Sequence, residues 1–221
     1  AEMASLSGLS SGATLVPPEL VRRIDEQGKS RVAPGEGYGL TETSGAAIAN
    51  FGPAYVARPD SVGLPISPVM EVRIAGDDGR ELPAGEVGEI WLKGPTVIRG
   101  YFNLPEATAA AFTDGWFHTG DAGRLDDEGY LYVVDRLKDV VIRGGENIYA
   151  AEVEAALYEH PDVTEAAIIG IPHPRLGEEV GAVIRVREGS TLTDDEVREH
   201  VGARLAAFKV PSRIWISTDE L

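Results

Sequence analysis

The sequence predicts an α+β protein on three observations. From Val69 to Leu131 apolar and polar residues alternate with the period of two that marks half-buried strands. After Arg136 the order changes to hairpin, helix, two strands, helix and strand, a compact unit of about 85 residues within the usual domain range. Finally, 26 glycines and 14 prolines in 221 residues imply many short elements joined by tight loops.

The elements follow in order. Met3 to Gly12 reads as a strand ending in a turn at Ser11-Gly12-Ala13. Pro17-Pro18-Glu19 opens a short helix through Gln27, with proline in its first turn and Leu20, Val21 and Ile24 on one face. Pro34, Gly35, Gly37 and Gly39 predict a loop leading into Leu40-Thr41-Glu42. Met70, Val72 and Ile74 alternate, Asp77-Asp78-Gly79 makes a hairpin turn, and Ile90 and Leu92 alternate again. A short Ala-rich helix is expected over Pro105–Phe112 and a strand over Tyr130–Val134. Past a boundary near Leu137, Gly144-Gly145 turns a hairpin. Val153, Ala156 and Leu157 then mark one face of a helix over Ala150–Glu159. Val163–Ile171 and Val180–Val186 are apolar strands, and Ile214–Ile216 starts a last one. Thr193-Asp194-Asp195-Glu196 is a capping box that begins a helix with Val197, Val201 and Leu205 on one side.

Composition excludes several functions. Acidic residues outnumber basic ones 36 to 20, a net charge of −16. That opposes binding to nucleic acid, whose affinity comes from Lys and Arg on phosphates, and to anionic membrane surfaces. No apolar run is long enough to span a bilayer, and no signal peptide is apparent. The absence of cysteine removes disulfides, thiolate metal sites and a cysteine nucleophile, and fits a cytoplasmic protein.

Three clusters carry candidate chemistry. In Gly37-Tyr38-Gly39-Leu40-Thr41-Glu42, glycines flank an aromatic face suited to a flat heterocycle, with a hydroxyl for phosphate and a carboxylate for Mg²⁺ just beyond. The same residues fit a glycine-rich turn with a packed tyrosine. Trp116-Phe117-His118-Thr119-Gly120-Asp121 reads as a buried aromatic pair and a glycine turn offering Asp121 to sugar hydroxyls, or as a plain helix-to-strand connection. His118 in it reads as a packed side chain rather than a base. Asp135-Arg136-Leu137-Lys138-Asp139 with Gly144-Gly145 either meets a nucleotide or is a solvated charge run and a hairpin turn.

The order and spacing of these motifs resemble the C-terminal part of the adenylate-forming superfamily of acyl-CoA synthetases, luciferases and peptide-synthetase adenylation domains. Tyr38 to Glu42 is similar to its adenine-and-Mg motif, and Gly88 to Gly94 and Gly100-Tyr101-Phe102-Asn103 to a following structural motif. Trp116 to Asp121 resembles its ribose motif, Asp135 to Glu154 its hinge block, and Ala206 to Pro211 its short C-terminal motif. The resemblance implies a C-terminal remnant of a large α/β adenylation domain with a β-rich subdomain (residues 1–137). A small, mobile α+β domain, itself incomplete, follows (residues 138–221).

It also implies roles. Tyr38 stacks on adenine between Gly37 and Gly39, with Ser11, Gly12 and Ala13 at the pocket edge. Thr41 contacts the α-phosphate, Glu42 holds Mg²⁺, and Asp121 and Arg136 bind the ribose of ATP or AMP. Lys138 is the hinge, and Gly144 and Gly145 line the channel for the CoA arm. The implied reaction joins a carboxylic acid to CoA at the expense of ATP, with a fatty acid as default substrate. An aryl or small branched acid is the alternative, as are a peptide-synthetase adenylation domain and a noncatalytic AMP-binding remnant. The family's upstream phosphate loop and its downstream lysine in a Gly-Lys context are absent, and Lys209 belongs to the preceding motif. The chain is therefore expected to be an inactive fragment that needs the rest of its large domain, with apolar strand faces uncovered between Ala4 and Val32.

Overall fold

A computed structural model describes residues 6–12, 18–28 and 32–218. The chain divides into two compact units, Ala1–Val133 and Val134–Leu221.

In the first unit, β1 (Gly8–Gly12) runs parallel to β2 (Ala33–Leu40), which pairs antiparallel with β3 (Gly45–Phe51), followed by β4 (Leu64–Pro65). Helix α1 (Pro18–Gly28) crosses from β1 to β2 and buries Val21. The predicted loop at Pro34–Gly39 is thus a strand. Partners on both sides supply its ladder hydrogen bonds, and its glycines answer to neighbours. A Cβ at Gly39 would lie 2.1 Å from the Gly45 carbonyl oxygen, and one at Gly35 would lie 2.2 Å from the Phe51 ring. Strand β1 is exposed at every residue, and Leu9 and Phe51 face solvent. Helix α2 (Pro53–Ala57) buries Tyr55, whose hydroxyl donates to the buried Glu36 carboxylate at 2.5 Å.

A second sheet carries β5 (Glu71–Ala75), β6 (Gly88–Lys93), β8 (Trp116–Leu125) and the two-residue β7 (Phe112–Thr113) in the order β5-β6-β8-β7, with α3 (Pro105–Ala111) before β7. Ile48 from the first sheet and Ile74, Ile90, Leu92 and Leu131 from this region form one core in which each is at most 2% exposed. The region Trp116–Asp121 is part of a continuous ten-residue strand, not a connection. Alternation along it buries Phe117 and leaves Trp116 half-exposed, so the expected buried pair is a single buried ring. Strand β9 (Leu131–Arg136) pairs with β8 and carries the chain onward.

In the second unit, β10 (Val141–Arg143) and β11 (Glu146–Ile148) form the expected hairpin about Gly144-Gly145. Helix α4 (Ala150–Tyr158) buries Val153, Ala156 and Leu157, the three positions the sequence aligned. Strands β12 (Val163–His173) and β13 (Gly177–Val186) pair antiparallel over nearly their whole length. Helix α5 (Asp194–Gly202) starts at the capping box: the Glu196 amide donates to Thr193 Oγ1, and Glu196 Oε2 accepts from the Thr193 amide at 2.9 Å. It buries Val197 and Val201. Leu205 lies beyond the helix end yet packs on the same core. Strand β14 (Arg213–Ser217) adds parallel to β13.

Candidate active site

The site in the first unit is assembled from the ends of β1 and β2 and the middle of β8. Ser11 and Gly12 close β1 opposite Glu36 and Gly37, while Ala13 lies outside the described residues. A register shift between Tyr38 and Gly39 leaves Ala47 of β3 as an extra residue, a bulge facing the step after Tyr38. The Tyr38 ring rests partly on the core and its hydroxyl donates to Asp121 Oδ2 at 2.7 Å, although the two residues are 83 positions apart.

Asp121 reaches that position through a second irregularity. On β8 the chain takes four steps from His118 to Ala122, while the facing β6 takes two from Trp91 to Glu89. Gly120, at φ +72°, absorbs the extra length in a conformation that costs a side chain-bearing residue about 1–2 kcal/mol. The bulge is pinned by its own hydrogen bonds. Thr119 Oγ1 donates to the Ile90 carbonyl (2.7 Å) and accepts from the Asp121 amide (3.1 Å), and the Gly120 amide donates to Glu89 Oε1 (3.0 Å). Asp121 ends 8% exposed, a carboxylate held beside an aromatic hydroxyl. His118 stacks on Trp91 with ring centroids 4.0 Å apart, in line with its reading as a packed side chain. The Arg73 guanidinium sits over Trp91 and Trp116 at 4.5 and 4.4 Å.

Thr41 and Glu42 occupy a single 3₁₀ turn, Thr41–Thr43, directly after β2. Buried Thr43 locks it: Oγ1 accepts from the Leu40 amide at 2.8 Å and donates to the Gly45 carbonyl at 2.6 Å. Ser44 closes the turn in the left-handed region at φ +58°. Thr41 is exposed and Glu42 half-buried, with Glu42 Oε1 accepting from the Tyr101 hydroxyl at 2.9 Å. Burial, and then the Glu42 carboxylate itself, push the Tyr101 hydroxyl above its ordinary pKa, so it stays a donor. Among the described residues no three His, Cys, Asp or Glu side chains cluster as a metal cage. Glu42 still fits Mg²⁺, which keeps several waters and is held by one or two carboxylates together with substrate phosphates.

The remaining predicted residues lie in the second unit. Arg136 is exposed, and its amide donates to Asp135 Oδ1 at 2.8 Å. Asp135 Oδ2 accepts from the Ala151 amide in the first turn of α4, where a carboxylate complements the helix N-terminus. Lys138 is exposed in a one-turn helix, Leu137–Asp139. Gly144 and Gly145 have φ +62° and +92°, as a two-residue hairpin turn requires, so the turn alone accounts for both glycines. Space beside Gly145 is open. Lys209 is committed to an ion pair with Glu152. Tyr101, Asp135 and Glu152 support their neighbours partly through Glu42, Ala151 and Lys209, which are 59, 16 and 57 positions away, so local sequence does not mark them.

The AMP-binding enzyme family matches residues 1–102, and its C-terminal domain family matches residues 152–221. Feruloyl-CoA synthase of an Amycolatopsis species is 45% identical over 222 residues, covering 100% of this chain and 44% of that protein. The long-chain-fatty-acid–CoA ligase of Bacillus subtilis is 40% identical over 213 residues, covering 95% of this chain and 37% of that protein. Among solved structures, o-succinylbenzoate CoA synthetase from Bacillus subtilis in complex with its acyl-adenylate intermediate superposes with a TM-score of 0.89. That match has 34% identity and covers 98% of this chain and 43% of the other. An amide bond synthetase from Marinactinospora thermotolerans superposes at 0.84 with 35% identity, covering 98% of this chain and 44% of the other. The chain belongs to the AMP-binding, adenylate-forming enzyme family. It spans less than half the length of these relatives.

Proposed function

We propose that the protein containing this chain is an acid–thiol ligase. A carboxylate oxygen attacks the α-phosphorus of ATP and displaces pyrophosphate, giving an acyl-adenylate. The CoA thiol then attacks the acyl carbon, and AMP leaves with the oxygen that came from the acid. The observation that supports this reading is the Tyr38–Asp121 hydrogen bond, which ties an aromatic face to a nearly buried carboxylate. Tyr38 stacks on adenine, Asp121 accepts from the ribose hydroxyls, and Thr41 donates to the α-phosphate. Ser11, Gly12 and Ala13 bound the pocket. Glu42 holds Mg²⁺, which offsets the repulsion between carboxylate and triphosphate. In the second unit, Arg136 meets the ribose, Lys138 is the pivot between half-reactions, and Gly144 and Gly145 admit the pantetheine arm. The few placed cations and Mg²⁺, rather than the surface, meet the anionic ligands of a chain at −16. A cysteine-free chain supports a cytoplasmic setting.

The acid is hydrophobic: a fatty acid is the first reading, supported by the Bacillus ligase, and an aryl acid the second, supported by the feruloyl-CoA synthase. The test is the full-length protein with ATP, Mg²⁺, CoA and a panel of fatty, aryl and small branched acids. Acid-dependent formation of acyl-CoA and AMP supports the proposal, and the preferred acid decides between the readings. Amide formation from an amine in place of thioester, or AMP binding with no turnover on any acid, would refute it.

A further inference from the structure

The turn bearing Glu42 is tied to the segment Thr96–Tyr101 at three points. Ser44 Oγ donates to the Thr96 carbonyl at 2.9 Å, the Ile98 amide donates to the Glu42 carbonyl at 2.8 Å, and the Tyr101 hydroxyl donates to Glu42 Oε1 at 2.9 Å. Tyr101 is itself fixed. Its amide donates to Thr108 Oγ1 at 2.9 Å, and that hydroxyl donates to the Leu104 carbonyl at 2.9 Å, anchoring the loop to the start of α3. Gly100 makes the close approach feasible. A Cβ there would lie 2.5 Å from Thr108 Cγ2, on a backbone at φ +150°.

A glutamate side chain has three rotatable bonds, so a ligating carboxylate needs partners that fix its direction. We propose that Tyr101 is a positioning residue for Glu42: its hydroxyl holds Oε1 and so commits Oε2 to the divalent cation that accompanies the nucleotide. This rests on Glu42 being the metal ligand. The outer partners of a ligating carboxylate orient it, and their loss costs 10- to 100-fold in metal affinity. Tyr101 thereby gains a role that its place in a merely structural motif would not give it.

The test uses the full-length protein and Tyr101→Phe, which removes one hydroxyl and keeps the ring. Mn²⁺ binding in the presence of ATP is read by electron paramagnetic resonance, and metal-free AMP binding by calorimetry. The expected result is about tenfold weaker Mn²⁺ binding in the variant with AMP affinity unchanged. Unchanged Mn²⁺ binding overturns the proposal. So does an equal loss of AMP binding, which would make the hydroxyl a general support of the fold. Glu42→Gln separates the two levels: if it binds Mn²⁺ with ATP as wild type does, the assignment of Glu42 fails and this proposal falls with it.

Discussion

Replacing Tyr38 by phenylalanine keeps the ring that is proposed to stack on adenine and removes only the hydroxyl that meets Asp121. The lost bond is 2.7 Å long, and its acceptor is an 8%-exposed carboxylate. Hydrogen bonds to charged groups contribute about 1.5–3 kcal/mol. Asp121 keeps further interactions and Tyr38 is half-buried, so water partly replaces the hydroxyl and the lower end applies. A loss of about 1.5 kcal/mol in orienting the ribose acceptor corresponds to roughly tenfold weaker AMP binding. Tyr38→Ala removes the ring as well, and base–aromatic stacking adds about 1–3 kcal/mol. Calorimetric titration of full-length protein with AMP should therefore rank wild type, Tyr38→Phe and Tyr38→Ala in three separated steps. Equal affinity of Tyr38→Phe and wild type would refute the positioning argument, and equal affinity of the two variants would refute the stacking one.

Gly145→Leu should abolish thioester formation while leaving acid-dependent pyrophosphate exchange intact, at a stability cost of about 1–2 kcal/mol from its left-handed backbone. Unchanged acyl-CoA production would remove Gly145 from the channel. Tyr55→Phe deprives buried Glu36 of a charged hydrogen bond, and urea unfolding should register a loss of about 1.5–3 kcal/mol. Burial, and then Glu36, hold the Tyr55 hydroxyl far above its ordinary value of 10.0, so this contribution is complete below pH 10 and declines only as strong alkali ionises the phenol. A wild type whose stability begins to fall well below pH 10 through this group would contradict that assignment. Glu154 is raised above its ordinary 4.5 by burial and by Asp135 and Asp139, against the Ile168 amide it accepts from at 2.9 Å. Its penalty is absent below the ordinary value and grows as pH rises through the raised one. Glu154→Gln should therefore raise the melting temperature at pH 7 to 8 and lose that advantage in acid; a gain that persists at low pH would show another cause.

Local chemistry was legible where it was self-contained. The capping box at Thr193, the helical face Val153-Ala156-Leu157 and the Gly144-Gly145 turn each depend on residues within a few positions, and each appears in the structure. Strand β2 was not legible. Pro34 and three glycines look like a loop until β1 and β3 flank them, and the same glycines are needed because Phe51 and Gly45 approach so closely. The Asp121 bulge was hidden for a related reason, since a surplus of residues on one strand shows only against its partner. Candidate residues were visible as types, Tyr38, Glu42 and Asp121 among them, because motif spacing carries identity. The hydroxyls that orient those carboxylates were not, since Tyr38–Asp121 and Tyr101–Glu42 are contacts of tertiary structure.

The fate of one oxygen atom tests the adenylate intermediate most directly. Full-length protein is supplied with ATP, CoA and its preferred acid labelled with ¹⁸O in both carboxylate positions, and the products are read by mass spectrometry. Attack by the carboxylate on the α-phosphorus followed by thiol displacement predicts one ¹⁸O in AMP and one in the acyl-CoA carbonyl. Label in inorganic phosphate or pyrophosphate, or AMP without label beside labelled thioester, would contradict an adenylate intermediate.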